Sequence, residues 1–200
     1  MTRIAITGGI ACGKSLAGTL LASMGWVICD TDSIAHRLYR PGGIAYASVC
    51  QLAGTAALRE NGEIDRGVLG AKVFADPDLL QALNAILHPL VREMVAHWFV
   101  EQEAQGQDVG AAIVPLLFEA GMAAGWDAVI CIGSEVEKQR ERLRERGLGA
   151  AEIASRLQAQ WPVMQKMKFA DFQVWNNGSF EELRQVLVGI DRCVRERKRQ

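Results

Sequence analysis

Gly8-Gly9-Ile10-Ala11-Cys12-Gly13-Lys14-Ser15 is the stretch whose reading decides the fold of this chain. It fits the pattern G-x-x-x-x-G-K-S. It also stands in the setting the pattern needs: the short apolar run Ile4-Ala5-Ile6-Thr7 precedes it, and Leu16, Leu20, Leu21 and Met24 follow at helical spacing. A strand delivers the chain into a glycine-rich turn, and a helix carries it away. The glycines let the backbone wrap so that several N–H groups point inward, and the positive end of the helix adds to that field. Such a cradle suits the phosphates of a nucleoside triphosphate. Lys14 is placed to reach the β- and γ-phosphates, and the Ser15 hydroxyl to ligate Mg²⁺. The expected nucleotide contacts are Gly8, Gly9, Ile10, Ala11, Cys12, Gly13, Lys14, Ser15 and Leu16.

The rest of the chain is compatible with that core. Its 200 residues suit one compact domain, or a core carrying an insertion. Twenty-two basic and 23 acidic side chains leave a net charge of -1, so no bias toward nucleic acid appears. The longest apolar run, Val109 to Phe118, contains Pro115 and stops at Glu119. It falls short of the ~20 residues a membrane span requires. Cys12, Cys29, Cys50, Cys131 and Cys193 are odd in number and lack C-x-x-C spacing. They read as small buried hydrophobes in a reducing cytosol. The first strand begins at once, leaving no room for a signal peptide, so the expected location is cytoplasmic.

Beyond the first helix, Trp26-Val27-Ile28-Cys29 reads as a second buried strand ending at Asp30-Thr31-Asp32. Function in a parallel sheet collects at the carboxyl ends of strands. Of the two carboxylates, one is expected to cap a helix beginning near Ser33, and the other to accept a proton from an attacking hydroxyl. From Pro41 to Gln107 no strand-like run appears. Asp76-Pro77-Asp78 starts a helix, and Leu79, Leu83, Ile86, Leu90, Met94 and Trp98 continue it. Pro89 is expected to kink or break that helix, with His88 pushed from helical dihedrals. His88 is equally compatible with a ligand contact and with a structural role, whereas His97 reads as structural.

Strands resume at Val109, whose apolar run exits through Pro115, Leu116 and Glu119; Glu119 is expected to cap the next helix, line the cleft, or both. Ala128 to Ile132 and Phe172 to Trp175 complete the set. Ser134 with Glu137, and Ser179 with Glu182, have the spacing of capping boxes. Arg140, Arg142, Arg144 and Arg146 share one helix with interleaved glutamates. Two are expected to be solvated, and the others to form a lid over phosphates, supported by Arg156 and Gln160. The terminal Arg192, Arg195, Arg197, Lys198 and Arg199 read as the cationic end of a closing helix. The expected architecture is α/β, a three-layer P-loop fold with a five-stranded parallel sheet. Residues 1–40 and 108–200 form the nucleotide core, with a lid at about 138–165, and residues 41–107 form a mostly helical acceptor-binding insertion.

Two classes compete on these features: a small-molecule kinase whose lid closes over ATP, and a P-loop switch or motor ATPase. The second would show an apolar strand ending in Asp as its magnesium-holding element. No such strand appears, and the kinase is favoured. The order and spacing of Thr7 to Ile10, Gly13-Lys14-Ser15, Asp30 to Ala35, Ile64-Asp65-Arg66, Leu87-His88-Pro89 and Val114 to Glu119 then add a family resemblance. So do Gln139 to Arg142, Arg146, Arg156, Gln160, Lys168 with Ala170-Asp171, and Asn176-x-Gly178. Along nearly its whole length the sequence resembles the dephospho-CoA kinase family.

The resemblance implies transfer of the ATP γ-phosphoryl group to the ribose 3′-hydroxyl of dephospho-CoA, a small-molecule partner. It implies Asp32 as general base or hydroxyl-orienting residue, Lys14 on the phosphates, Ser15 on Mg²⁺, and Arg142 or Arg140 as the lid clamp. Asn176 would lie by the adenine, and Thr7, His88, Pro115 and Leu116 would border the acceptor. A nucleoside or nucleotide kinase of the same class is the alternative, and a monomer or weak homo-oligomer is expected. The chain departs from the family at Ala11, where Gly is usual, and at Cys12, where Ser is usual. Leu16 replaces a second hydroxyl, and His36 often an Arg. Ala11 costs little as long as its φ is negative.

Overall fold

The computed structural model describes residues 1–197, so Lys198 and Arg199 of the basic tail lie outside the described residues. Among the described residues one sheet of five parallel strands is formed by β1 (Thr2–Gly8), β2 (Val27–Asp30), β3 (Val109–Ile113), β4 (Ala128–Gly133) and β5 (Phe172–Trp175). Their spatial order is β2-β3-β1-β4-β5. Ile6 of β1 pairs with Ile113 on one side and Ile130 on the other. The chain leaving β1 runs toward β2, while that leaving β3 runs toward β4. The carboxyl ends of β1 and β3 therefore flank the point where the winding reverses, the crevice in which such sheets bind ligands.

Strands β3 and β4 are buried at every position, as strands covered on both faces are. Helices α1 (Lys14–Ser23) and α9 (Phe180–Arg197) share a core with them. In it Leu20 and Leu21 meet Ile4, Ile6, Ile130, Leu187 and Ile190. Trp26 joins this core and donates its indole N–H to Asp191 at 2.6 Å. Strand β3 stops at Ile113. Val114 still donates to Ile6 O at 2.8 Å, but Pro115 has no N–H with which to extend a ladder. Residues 115–121 form turns, so no helix follows for Glu119 to cap.

The described residues divide into two compact units, one formed by residues 1–30 with those from 98 onward and the other by residues 31–97. The second consists of α2 (Thr31–Leu38), α3 (Tyr46–Ala53), a short 3-10 turn (Thr55–Ala57), α4 (Arg66–Ala75) and most of α5 (Pro77–Ala104). Helix α4 begins where Asp65 accepts hydrogen bonds from the N–H groups of Gly67 and Val68, at 2.9 and 3.1 Å. Helix α2 begins at Thr31, two residues before Ser33.

Helix α5 runs through His88 and Pro89 without a break, so of the expected kink or break the break does not occur. Proline removes one bond, to the carbonyl four residues earlier. That carbonyl belongs to Ala85, which like Pro89 is exposed, so water can satisfy it and the helix continues on either side. Three shorter helices follow β4: α6 (Val136–Glu145), α7 (Ala150–Gln158) and α8 (Val163–Met167).

Candidate active site

The loop between β1 and α1 takes the shape its sequence predicts. Gly8 and Gly13 have φ of 140° and 94°. A Cβ on Gly8 would run into the carbonyl of Ile132, and one on Gly13 into the amide nitrogen of Asn176. Ala11 has φ 57°, so the condition under which it would be cheap fails. Its methyl is buried against Leu143 of α6 and Ile153 of α7, which offsets part of the strain. Helix α1 starts at Lys14 with no side-chain cap on Gly13, leaving its positive end for an anion. Lys14 Nζ donates to Gly9 O at 2.7 Å and Gly8 O at 3.2 Å. Ser15 and Leu16 are exposed in the first turn.

A second layer holds the loop from behind. Arg142 Nη1 donates to Ala11 O at 3.1 Å and Ser134 Oγ at 2.9 Å, and Nη2 to Asn176 O at 2.9 Å. The buried Asn176 donates through Nδ2 to Cys12 O at 2.9 Å. Ser134 Oγ donates to Asn176 O at 2.8 Å. Ser134 is thus tied to a residue 42 positions away, and α6 begins after Glu135 with no side-chain cap, so the expected capping box at Ser134 does not form. The box at Ser179 does: Ser179 N–H reaches Glu182 at 2.6 Å and Glu182 N–H reaches Ser179 Oγ at 3.2 Å. Arg140 instead pairs with Glu137 at 2.7 Å on the surface, and Arg144 and Arg146 are exposed.

Burial pushes the Cys12 thiol upward despite the nearby Lys14 charge, and pushes Cys131 up to about 12. Both remain neutral thiols at physiological pH and are packing groups rather than nucleophiles.

On the other side of the loop, Thr7 is fully buried and its hydroxyl lies 3.4 Å from Pro115 O, which joins the ends of β1 and β3. Pro115 O also accepts from Lys166 Nζ at 2.8 Å. Lys166 is wholly buried, and it pairs with Glu119 at 2.8 Å. Lys168, the lysine that precedes Ala170-Asp171 in the family resemblance, is exposed and makes no such bond among those described. A five-residue helix carries too little periodicity to show from sequence that Lys166, inside it, is the buried lysine and Lys168, just past its end, the exposed one. A cavity of about 570 Å³ opens beside Gly9 and Ile10, lined in part by Gln139, Arg140, Trp161 and Trp175.

Asp32 and His88 belong to the second unit. Asp32 is exposed in the first turn of α2, directly after β2. Within that unit Tyr39 is held above its ordinary pKa by burial, lowered in part by Arg66 and raised by Asp32. His88 is half-buried, and burial, then the Arg92 charge, holds its pKa down.

The dephospho-CoA kinase family model matches residues 2–182. The chain belongs to the dephospho-CoA kinase family. A dephospho-CoA kinase from Corynebacterium glutamicum is 40% identical over 185 residues, covering 92% of this chain and 95% of that protein. Dephospho-CoA kinase from Campylobacter jejuni superposes with a TM-score of 0.68 at 26% identity, covering 95% of each chain. A Thermus thermophilus protein of solved structure gives a TM-score of 0.79 at 32% identity, covering 94% of this chain and 95% of that one. Membership of the dephospho-CoA kinase family makes the chain an ATP-dependent kinase of the P-loop fold. No described helix is long and apolar enough to cross a membrane.

Proposed function

We propose that the chain moves the γ-phosphoryl group of ATP to the ribose 3′-hydroxyl of dephospho-CoA, the last step of coenzyme A synthesis. The observation that carries this is the loop from Gly8 to Ser15. Its backbone is turned by two glycines and a left-handed Ala11, and it opens on an uncapped helix terminus. Such a terminus stabilises the charge that spreads over a transferring phosphoryl group. Lys14 leaves the Gly8 and Gly9 carbonyls for the β- and γ-phosphates. Gly8 through Leu16 line the nucleotide, with Asn176 beside its adenine.

Asp32 accepts the proton as the 3′-oxygen forms its bond to phosphorus and the bond to the β-phosphate oxygen breaks, releasing ADP. Its exposure at the start of α2 suits a group that must meet a substrate. Thr7, His88, Pro115 and Leu116 border the acceptor. Arg142, and Arg140 once freed from Glu137, clamp the phosphates from the lid at about 138–165, and residues 41–107 supply the acceptor-binding segment.

Mg²⁺ fits what the site offers. Among the described residues no group of three or more His, Cys, Asp or Glu could hold a metal, and the exposed Ser15 hydroxyl is a single hard oxygen. An ion that retains waters and phosphate oxygens as most of its ligands needs no more. When bound, it would neutralise charge between the β- and γ-phosphates.

The remaining assignments are a cytoplasmic location, no nucleic-acid or membrane partner, and a monomer or weak homo-oligomer. The near-zero net charge supports the absence of a nucleic-acid partner, and the free cysteines support the reducing location. An ATP-consumption assay with dephospho-CoA, adenosine and uridine as rival acceptors tests the function. Preference for dephospho-CoA is expected. Preference for either nucleoside would make the chain a nucleoside kinase, and turnover without any acceptor would make it an ATPase.

A further inference from the structure

Lys166 has no exposed surface, yet its ammonium meets groups from three segments of the chain. It lies 2.8 Å from Pro115 O, 2.8 Å from Glu119 Oε1 and 3.5 Å from Gly8 O. Gly8 is the last residue of β1 and the first of the phosphate loop, and its carbonyl also holds Lys14 Nζ. Pro115 is the turn leaving β3, and its carbonyl also faces the Thr7 hydroxyl. One cation therefore spans the two strand ends that flank the reversal of the sheet. Glu119, its counter-ion, accepts the N–H of Trp161 at 2.9 Å, and Trp161 stacks on Phe118 with ring centroids 6.1 Å apart. The chain returning from α7 is thereby fastened to the exit of β3 by the same ion pair.

Stability alone gives little reason for such a pair, because apolar side chains of similar volume usually serve a core equally well or better. What an ammonium does, and a methyl group cannot, is hold carbonyl oxygens from two strands at fixed distances from one nitrogen. We propose that Lys166 is a positioning residue for phosphoryl transfer: it sets the spacing between the phosphate loop, through Gly8, and the acceptor-side turn, through Pro115. This rests on the reading that Thr7, Pro115 and Leu116 border the acceptor. Displacements of about an ångström between reacting groups are enough to cost a hundredfold in rate, so the effect belongs in the transfer step.

The test uses the full-length enzyme with whichever acceptor the parent prefers, so that a wrong acceptor identity shows in the parent and not in the variants. Lys166→Arg keeps the charge and the pair with Glu119 but lengthens the reach. Lys166→Met with Glu119→Leu removes both charges together, leaving neither buried alone. For both, kcat/KM for the acceptor should fall at least about tenfold, with ATP affinity changed less than about threefold. The share of consumed ATP that ends on the acceptor rather than on water should also fall. A merely structural lysine would lower the melting temperature without altering that share. Parental kinetics in Lys166→Arg, or recovery of acceptor kcat/KM in the doubly neutral variant, would overturn the proposal. So would a change confined to ATP affinity, because the lysine would then act through Gly8 alone.

Discussion

At Ala11 backbone strain and side-chain packing oppose each other, and replacing the residue separates them. Its φ of 57° is a conformation that costs alanine about 1–2 kcal/mol and glycine almost nothing. Ala11→Gly removes that strain. It also removes a methyl that is only 7% exposed and packed on Leu143 and Ile153, worth about 0.8 kcal/mol. The unfolded chain gains freedom worth a further loss of about 0.4–1 kcal/mol. Gain and losses nearly cancel, and the glycine variant should lie within about 1 kcal/mol of the parent. Ala11→Val retains the strain, adds a branch at Cβ and overfills the contact, costing about 2 kcal/mol or more. Urea unfolding of the three proteins, compared at equal slope, measures both differences. A glycine variant stabilised by more than about 2 kcal/mol would refute this balance, because even a methyl worth nothing leaves a net gain below that. A valine variant as stable as the parent would show that the backbone is not left-handed there.

Three further predictions follow from the site. Asp32→Asn should lower kcat by about 10²–10⁴ and leave ATP binding intact by calorimetry; near-normal turnover would remove Asp32 from the chemistry. Arg142→Ala removes three charge-assisted hydrogen bonds, each worth about 1.5–3 kcal/mol. It should therefore weaken both thermal stability and ATP affinity, and loss of activity with stability unchanged would show that Arg142 is no strut of the loop. Cys131 is raised from 9.0 to about 12. Its unfolded form thus loses a proton where the folded form keeps one, and stability should fall as pH rises through that window, by up to about 1.4 kcal/mol per pH unit. Cys131→Ala should flatten the fall measured by denaturant titration between pH 9 and pH 11.

The phosphate loop and the sheet were legible because their signals are local. Gly8 to Ser15 sits between an apolar run and a helical stripe, and a few residues suffice to recognise β5 at Phe172–Trp175. What was not legible depends on partners distant in sequence. Ser134 has the spacing of a cap, but its hydroxyl is taken by Asn176. Lys166 lies inside a five-residue helix and Lys168 just past its end, and only the folded chain separates the buried lysine from the exposed one. Pro89 looked like a break, and whether it is one depends on the solvent exposure of Ala85. The strand order and the sign of φ at Ala11 are likewise products of the assembled fold.

Lys14 donates to the oxygens of Gly9 and Gly8, so the loop folds its ammonium back onto its own backbone. Any anion that draws the ammonium away must outweigh those peptide contacts, and an ionised phosphate oxygen is the stronger acceptor. The exchange therefore favours charge in the ligand.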